Sequence, residues 1–253
     1  MIRLSAVIIT FNEEKNIGRC LESLKGVADE IVVLDSFSTD QTESICREHG
    51  VRFIRHPFGG YIEQKNEVLR LAHYDHVLSL DADEALSPQL RASILDLKAN
   101  WQLDAYSFNR LTWYCRRFMR HGGWYPDTKV RLFVRGKGAW GGENPHDRFI
   151  PHDPARVGKL KGDLLHYSYF SVSEHIRQMN RFTDIASEAA YRGGKRTTWL
   201  ALLFRPAVKF MRDYFFLAGF LDGYYGFIAA RISAHANFLK YVKLYELQRK
   251  KKA

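Results

Sequence analysis

Asp81 and Asp83 form the first pair of residues whose types and spacing could support chemistry. They follow residues 77–80, an apolar run typical of a buried strand, so both carboxylates would lie at that strand's carboxyl end. Ligands of open α/β sheets bind at such strand ends, and carboxylate oxygens suit a hard divalent cation and a bound phosphate. A solvated acidic turn is the plainer alternative, and this motif alone does not exclude it.

More polar side chains follow the other predicted strands. The apolar runs 4–9, 30–34 and 51–54 each have the length and composition of a strand. Because the carboxyl ends of parallel strands share one edge of a sheet, polar residues there should converge. The set comprises Thr10, Asn12, Glu13, Asp35, Asp40, Asp81 and Asp83. Helix capping alone would account for Asn12, Ser38 and Asp40.

The elements that must position these residues alternate regularly. Apolar residues recur at helical spacing from Ile17 to Leu24, and helices are also predicted up to His49 and over 61–72. This β-α-β-α-β-α-β order predicts an α/β fold, with a mostly parallel sheet flanked by helices. No G-x-G-x-x-G follows the first strand and no P-loop motif is present, which disfavours dinucleotide binding and P-loop ATPase activity.

The second half is predicted to be mixed and then helical. Strands are expected over 105–110, 129–135 and 164–170, with a glycine-bearing loop over 140–147. Residues 214–230 carry one charge, Asp222, and are too short to span a bilayer as one helix. They suit an amphipathic or re-entrant hairpin lying in a membrane surface, or a helical pair packed on the domain or on a second subunit.

Composition limits the partners. The 253 residues allow one large domain, and the net charge of +10 indicates an anionic partner such as a nucleic acid, an acidic membrane or a phosphorylated substrate. No nucleic-acid-binding motif is recognised, so no nucleic acid is expected. The three scattered cysteines indicate free thiols in a reducing compartment, and no signal peptide is expected.

Four segments, taken in order, resemble family 2 glycosyltransferases of the GT-A fold. They are Thr-Phe-Asn-Glu-Glu at 10–14, Val-Leu-Asp-Ser-Phe-Ser-Thr-Asp at 33–40, Gln-Lys-Asn at 64–66 and Leu-Asp-Ala-Asp-Glu at 80–84. Residues 125–133, 145–147 and 166–168 resemble the lipopolysaccharide inner-core glucosyltransferase branch. The resemblance implies a glycosyltransferase domain over 1–196, with a nucleotide-sugar half to about 100 and an acceptor half to 196. A helical membrane-associating region would follow over 197–253.

The resemblance implies a metal-dependent inverting enzyme. It would move a hexose, with glucose the first guess, from a nucleotide sugar such as UDP-hexose to a lipid-linked glycan such as lipopolysaccharide core. The protein would be cytoplasmic and peripheral at the inner face of the inner membrane, where its basic residues meet anionic lipid. A catalytically silent nucleotide-sugar-binding scaffold in a membrane glycan-assembly complex is the alternative.

Roles for individual residues also follow from the resemblance. Asp83 would hold Mn²⁺ or Mg²⁺, with Asp81 near the metal or the ribose, and His166 would complete the metal site. The related branch carries Val-His-Glu where this chain has Pro145-His-Asp147. Asp147 therefore aligns with the general base, one methylene shorter, and Glu143 is the second candidate.

Binding roles follow in the same way. The residues implied to line the nucleotide-sugar pocket are Thr10, Asn12, Glu13, Asp35, Ser36 and Asp81. Lys65 would approach the diphosphate, and Arg131 would steer a phosphorylated or carboxylated acceptor. A solvated helix lysine remains the alternative for Lys65, and a hydrogen-bonded strand histidine remains the alternative for His166.

Overall fold

The computed structural model describes residues 1–143 and 146–250, without the side chains of Glu143, His146 and Lys250. The strands are β1 (Leu4–Thr10), β2 (Glu30–Asp35), β3 (Arg52–Arg55), β4 (His76–Asp81), β5 (Glu84–Leu86), β6 (Ala105–Tyr114), β7 (Arg117–Phe118), β8 (Asp127–Val134), β9 (Gly138–Glu143), β10 (His146–Pro151) and β11 (Val157–Tyr169).

The helices are α1 (Ile17–Leu24), α2 (Thr42–Glu48), α3 (Tyr61–Leu71), α4 (Pro88–Ala99), α5 (Val172–Arg192), α6 (Trp199–Met211) and α7 (Gly223–Lys250). A π-helical turn, Arg212–Phe216, and a 3₁₀ turn, Gly219–Asp222, separate α6 from α7. The chain forms two compact units: a sheet unit, residues 1–111 and 127–167, and a helical unit, residues 112–126 and 168–253. The division predicted at 196/197 stays a prediction about functional domains.

The sheet follows the order β3-β2-β1-β4-β8-β6-β11-β5. Strands β2 and β4 both pair parallel with β1, and β3 pairs parallel with β2, as the alternation of helices and strands predicts. Strand β8 then pairs antiparallel with β4, and β6 with β8. The result is the predicted α/β fold, parallel where the polar residues predicted to converge lie and antiparallel beyond.

Helices cover both faces of the parallel strands. Along β1, Ala6 and Ile8 join one core cluster, which includes the apolar faces of α1 and α4. Val7 joins the other cluster, which includes Val68 of α3. Successive strand side chains point to opposite faces, and both faces are buried, so the strand is apolar without interruption.

Two local predictions are wrong. Residues 140–147 were predicted as a loop, but β9 and β10 pair as an antiparallel hairpin. The glycines of this segment misled the prediction: a Cβ on Gly141 would lie 2.9 Å from the Ile150 side chain of the partner strand, so Gly141 serves close packing rather than a turn. Asn12 also does not cap α1, which begins at Ile17 with Asn16 before it.

The helical unit has an aromatic centre. Tyr114 is fully buried and packs edge-on against the rings of Trp124, Tyr169, His175 and Tyr225. Its hydroxyl lies 2.9 Å from His175 Nδ1. Burial lowers the pKa of His175 to about 4.

Asp222, the single charge of the 214–230 segment, is fully buried in the helical unit. Its carboxylate accepts hydrogen bonds from the backbone N–H groups of Arg120 (2.9 Å) and His121 (2.8 Å) and lies 3.4 Å from the Arg117 guanidinium. The acid therefore ties the chain around residues 117–121 to the start of α7. Within the described residues, no helix combines the length and apolar character that crossing a membrane requires.

Candidate active site

The register of the parallel strands brings the predicted polar residues to one edge. Thr10 pairs with Asp35 across β1 and β2, and Ile9 pairs with Asp81 across β1 and β4. The ends of three neighbouring strands therefore lie side by side. Convergence at this edge is what the topology of a parallel sheet requires.

A polar turn framework joins the ends of β1 and β2. Asp35 is fully buried, and its carboxylate accepts hydrogen bonds from the N–H of Ser38 (2.8 Å) and from the Ser38 hydroxyl. The Ser38 hydroxyl in turn accepts from the N–H of Asn12 (2.8 Å), and Asn12 Oδ1 accepts from the N–H of Thr39 (2.8 Å). Asn12 has φ +54° and Phe37 has φ +62°, so the network holds two non-glycine residues in the left-handed region.

The other pocket residues lie close to this framework. The Ser36 hydroxyl accepts a hydrogen bond from Gln64 Nε2 (3.0 Å). The Thr10 hydroxyl is buried and has no hydrogen-bond partner in the part of the chain that is described. Burial, followed by the negative charge of Asp83, raises the pKa of Glu13 to about 7, although the Asn16 amide donates to this carboxylate (2.8 Å).

Asp81 is held between two cations. Lys65 Nζ lies 2.8 Å from Asp81 Oδ1, and Arg131 Nη2 lies 2.7 Å from Oδ2. Burial alone would raise the pKa of Asp81, but the charges of Arg131 and Lys65 hold it far below its usual range. Both carboxylate oxygens therefore already have strong partners.

Asp83 pairs with His166 instead. Asp83 Oδ2 lies 3.0 Å from His166 Nε2. Burial alone would raise the pKa of Asp83, but the charge of His166 and their hydrogen bond lower it. Burial alone would lower the pKa of His166, and the charge and hydrogen bond of Asp83 raise it. The fold thus brings together two of the three predicted metal ligands, while Asp81 faces Lys65 and Arg131.

No group of three or more His, Cys, Asp or Glu side chains is arranged to hold a metal among the described residues. Asp83 and His166 nevertheless fit a divalent cation that also binds substrate phosphate. They offer one oxygen and one nitrogen 3.0 Å apart. Neighbouring ligands at right angles on a cation with bonds of about 2.1 Å are separated by about 3 Å. Mg²⁺ sites commonly use one or two carboxylates and complete the shell with substrate phosphate and water, and Asp83 supplies one such carboxylate.

Arg131 lies inside the site rather than at its surface. Only 4% exposed, it contacts Asp81 and Glu84 and lies over the ring of Trp140, 5.2 Å from the centroid. Glu84 is also buried and accepts a hydrogen bond from the backbone N–H of Asp81 (3.0 Å). In this structure the Arg131 guanidinium pairs with Asp81 and Glu84 and so supports the turn between them. Its carboxylate partners belong to the chain itself, whereas the sequence led us to expect those of an acceptor substrate.

Asp147 lies in β10, opposite Gly142 of β9. Lys65 Nζ is 2.7 Å from Asp147 Oδ2, so one ammonium joins the predicted base to Asp81. Glu143, the second candidate base, ends β9, and its side chain lies outside the described residues.

Some residues of the site were not predicted from the sequence. Ser38, Gln64, Asn66, Glu84, Arg110 and Trp140 all contact predicted site residues or the strands that carry them. Gln64 and Asn66 flank Lys65 in the recognised Gln-Lys-Asn segment, and that segment was the available signal for them. Arg110 and Trp140 had no such signal because their contacts come from distant strands.

The chain is similar to known glycosyltransferases. Residues 5–141 match the family described as glycosyl transferase family 2. The chain is 32% identical to the lipopolysaccharide core biosynthesis glycosyltransferase LpsC of Rhizobium meliloti (strain 1021), over 96% of this chain and 92% of that protein. It is 31% identical to an uncharacterized glycosyltransferase of Rickettsia typhi, over 99% of this chain and 89% of that protein.

Solved structures share a more distant likeness. Glucosyl-3-phosphoglycerate synthase from Mycobacterium tuberculosis, in complex with Mn²⁺ and UDP, is 24% identical over 45% of this chain and 44% of that chain, with a TM-score of 0.35. S. aureus TarS 1–349 is 16% identical over 99% of this chain and 92% of that chain, with a TM-score of 0.47.

The family match and the similarity to LpsC identify a glycosyltransferase on this α/β fold. The chain belongs to glycosyltransferase family 2.

Proposed function

We propose that this enzyme is a metal-dependent inverting hexosyltransferase. It moves a hexose from a nucleotide sugar of the UDP-hexose type to a lipid-linked glycan such as lipopolysaccharide core. Glucose is the first candidate for the hexose. The observation that carries the proposal is one connected cluster at the sheet edge. In it Asp83 pairs with His166, and Lys65 joins Asp81 to Asp147. A metal ligand pair and a carboxylate base beside one pocket are what displacement at a sugar carbon requires.

Asp83 and His166 would hold Mn²⁺ or Mg²⁺. When bound, the cation supplies Lewis-acid neutralisation of the leaving diphosphate. The remaining roles belong to the chain itself. The side chains proposed to line the nucleoside and ribose pocket are Thr10, Asn12, Glu13, Asp35, Ser36 and Asp81.

Asp147 is proposed as the general base. It takes the proton from the acceptor hydroxyl as the hydroxyl oxygen attacks the anomeric carbon. The new carbon–oxygen bond forms on the face opposite the diphosphate, and the bond to the diphosphate breaks. A single displacement of this kind inverts the anomeric configuration. Glu143 remains the second candidate for the base.

The acceptor class rests on two observations. The relative LpsC is named for lipopolysaccharide core biosynthesis. The helical unit carries 18 Lys and Arg against 6 Asp and Glu, a net charge of +12. Thirteen large hydrophobic side chains between Trp199 and Phe227 are also exposed. Basic and apolar groups together favour an anionic membrane surface, so we propose peripheral attachment at the inner face of the inner membrane.

The central experiment is transfer from a panel of nucleotide sugars, with EDTA, Mg²⁺ or Mn²⁺, for the wild type and Asp147→Asn. We expect one UDP-hexose to be consumed, product of inverted configuration by NMR, and loss of turnover in EDTA. Asp147→Asn should lower turnover by about 10³-fold or more. Nucleotide binding without turnover of any donor would favour the silent scaffold, and full activity of Asp147→Asn would exclude that residue as the base.

Membrane attachment has a separate test. Flotation with vesicles containing anionic phosphatidylglycerol should recover the full chain, whereas a chain ending at Thr197 should stay behind. Binding should weaken as salt rises, because charges separated by more than about 10 Å are screened at 0.1 M. Equal flotation of both chains would contradict the proposed attachment.

A further inference from the structure

Three consecutive residues of α3 reach three different parts of the site. Gln64 contacts Ser36 on the nucleoside side, Lys65 contacts Asp81 and Asp147, and Asn66 contacts Trp140 of β9. Consecutive helix residues are turned by about 100°, so one short segment can hold three surrounding elements. The helix therefore connects the donor-side strand ends with the hairpin that carries the proposed base.

The Lys65 ammonium is only 3% exposed, and three groups surround it. These are Asp81 Oδ1 at 2.8 Å, Asp147 Oδ2 at 2.7 Å and the face of the Trp140 ring at 4.5 Å. Since a buried charge is costly without partners, this arrangement sets where the Asp147 carboxylate lies.

Asn66 holds the backbone of the same hairpin. Its Nδ2 donates to the carbonyl of Trp140 (3.0 Å), and its Oδ1 accepts from the Trp140 N–H (3.0 Å). Both backbone polar groups of Trp140 are thus bound by one side chain. Because β9 pairs with β10, and Gly142 lies opposite Asp147, fixing β9 also fixes the strand that bears Asp147.

We propose that Lys65 and Asn66 are positioning residues for the general base. Asn66 places the hairpin, and Lys65 holds Asp147 Oδ2 toward Asp81, so that Oδ1 is the oxygen that receives the acceptor proton. This inference rests on the proposed role of Asp147. It gives Lys65 a different task from the diphosphate contact expected from the sequence.

The test separates turnover from nucleotide binding. Lys65→Met and Asn66→Ala should each lower kcat by roughly a hundredfold, since a misplacement of about 1 Å at a reacting group has that effect. The dissociation constant of UDP with Mn²⁺, measured by calorimetry, should stay within about twofold, because neither residue binds the nucleotide. Arg70→Met, on the same helix with a 70% exposed side chain, is the matched control and should change neither quantity.

A double-mutant cycle makes the test specific. In an Asp147→Asn background, Lys65→Met should cause no further loss of kcat, because residues that act through one group are not additive. If Lys65 instead binds the diphosphate, UDP affinity will fall and the two losses will multiply. That result would overturn the inference and leave Asp147 as the base.

Two more outcomes separate the inference from the proposed function. Wild-type turnover by Asp147→Asn would refute the base itself, whatever Lys65 does. Lys65→Arg retains a cation and should recover part of the kcat lost in Lys65→Met. If Lys65→Met does not fold, as shown by its thermal melt, Lys65→Arg and Asn66→Ala decide the matter: wild-type kcat in both would overturn the inference.

Discussion

The sheet unit and the helical unit differ in charge and in surface. The sheet unit has 20 Lys and Arg against 22 Asp and Glu, a net charge of −2, whereas the helical unit has a net charge of +12. Of the 22 exposed large hydrophobic residues in the described part of the chain, 16 lie in the helical unit. The positive charge that the whole sequence shows therefore belongs to one unit, and it says little about the pocket where the chemistry is proposed.

The two units also bury acidic groups for different purposes. In the sheet unit, Asp81 is held by two side-chain cations, Lys65 and Arg131. In the helical unit, Asp222 is bound chiefly by backbone N–H groups of Arg120 and His121. Side-chain partners can rearrange around a ligand, whereas backbone donors fix a chain path. This contrast supports the proposal that the first unit carries the chemistry, whereas Asp222 fixes the chain path of the second.

The largest effect is expected from Asp83→Ala. Loss of a proposed metal ligand should lower transfer by roughly 10³-fold, about 4 kcal/mol. Binding to anionic vesicles should stay at the wild-type level, because the attachment surface is assigned to the helical unit. The exposed Asp75, just before β4, provides the control Asp75→Ala, which should leave both measurements unchanged. If Asp83→Ala also lost vesicle binding, the proposal that catalysis belongs to the sheet unit and attachment to the helical unit would be contradicted.

Acid should destabilise the helical unit through His175. The pKa of His175 is lowered to about 4 by burial, against 6.5 for a free histidine. Below pH 6.5 the unfolded chain binds the proton first, so stability falls as pH decreases from 6.5 toward 4, by about 3 kcal/mol in all. Urea unfolding at several pH values should show this slope.

His175→Asn should flatten the slope, since Asn cannot take the proton. The control His73→Asn, at a 77% exposed side chain of the sheet unit, should leave the slope in place. An unchanged slope in His175→Asn would mean that other groups cause the acid sensitivity.

A smaller effect is expected from Asp222→Asn. The amide oxygen can still accept from the two backbone N–H groups, but the amide nitrogen then replaces the oxygen that faces the Arg117 guanidinium and the His121 ring, so unfolding free energy should fall by about 2 kcal/mol. Thermal melts measure the loss, and kcat on a lipid-free acceptor should be unchanged. Asp184→Asn, in the same unit but 55% exposed, should cost about 0.5 kcal/mol or less. A stable but inactive Asp222→Asn would give this acid a catalytic task instead.

The smallest effect concerns the exposed aromatic side chains. Phe204 and Phe216 are 64% and 80% exposed. Replacing both by Ser should weaken binding to phosphatidylglycerol vesicles by about tenfold, because less apolar area leaves water. Val157→Ser, at a 45% exposed position of the sheet unit, is the matched control. If the control weakens vesicle binding as much as the double variant does, the attachment surface is not confined to the helical unit.

The local sequence pattern was enough to predict the helices and strands in the first half of the chain. The apolar run of β1 and the helical spacing from Ile17 to Leu24 report on neighbouring residues only, and each element formed as expected. The hairpin of β9 and β10 was missed because Gly141 accommodates Ile150, a residue on the partner strand. The side chain that requires a glycine can lie on a neighbouring strand, and the local sequence pattern gives no sign of it.

Prediction of the site residues meets the same limit: their positions follow from sequence, but their partners do not. The order of strands and helices is enough to predict that Thr10, Asp35 and Asp81 lie on one edge of the sheet. The partners of the site carboxylates depend on tertiary packing instead. Arg131 contacts Asp81 from β8, and Lys65 contacts Asp147 from α3. A buried carboxylate takes whichever cation the packing brings within about 3 Å, and packing is set by contacts far apart in the chain.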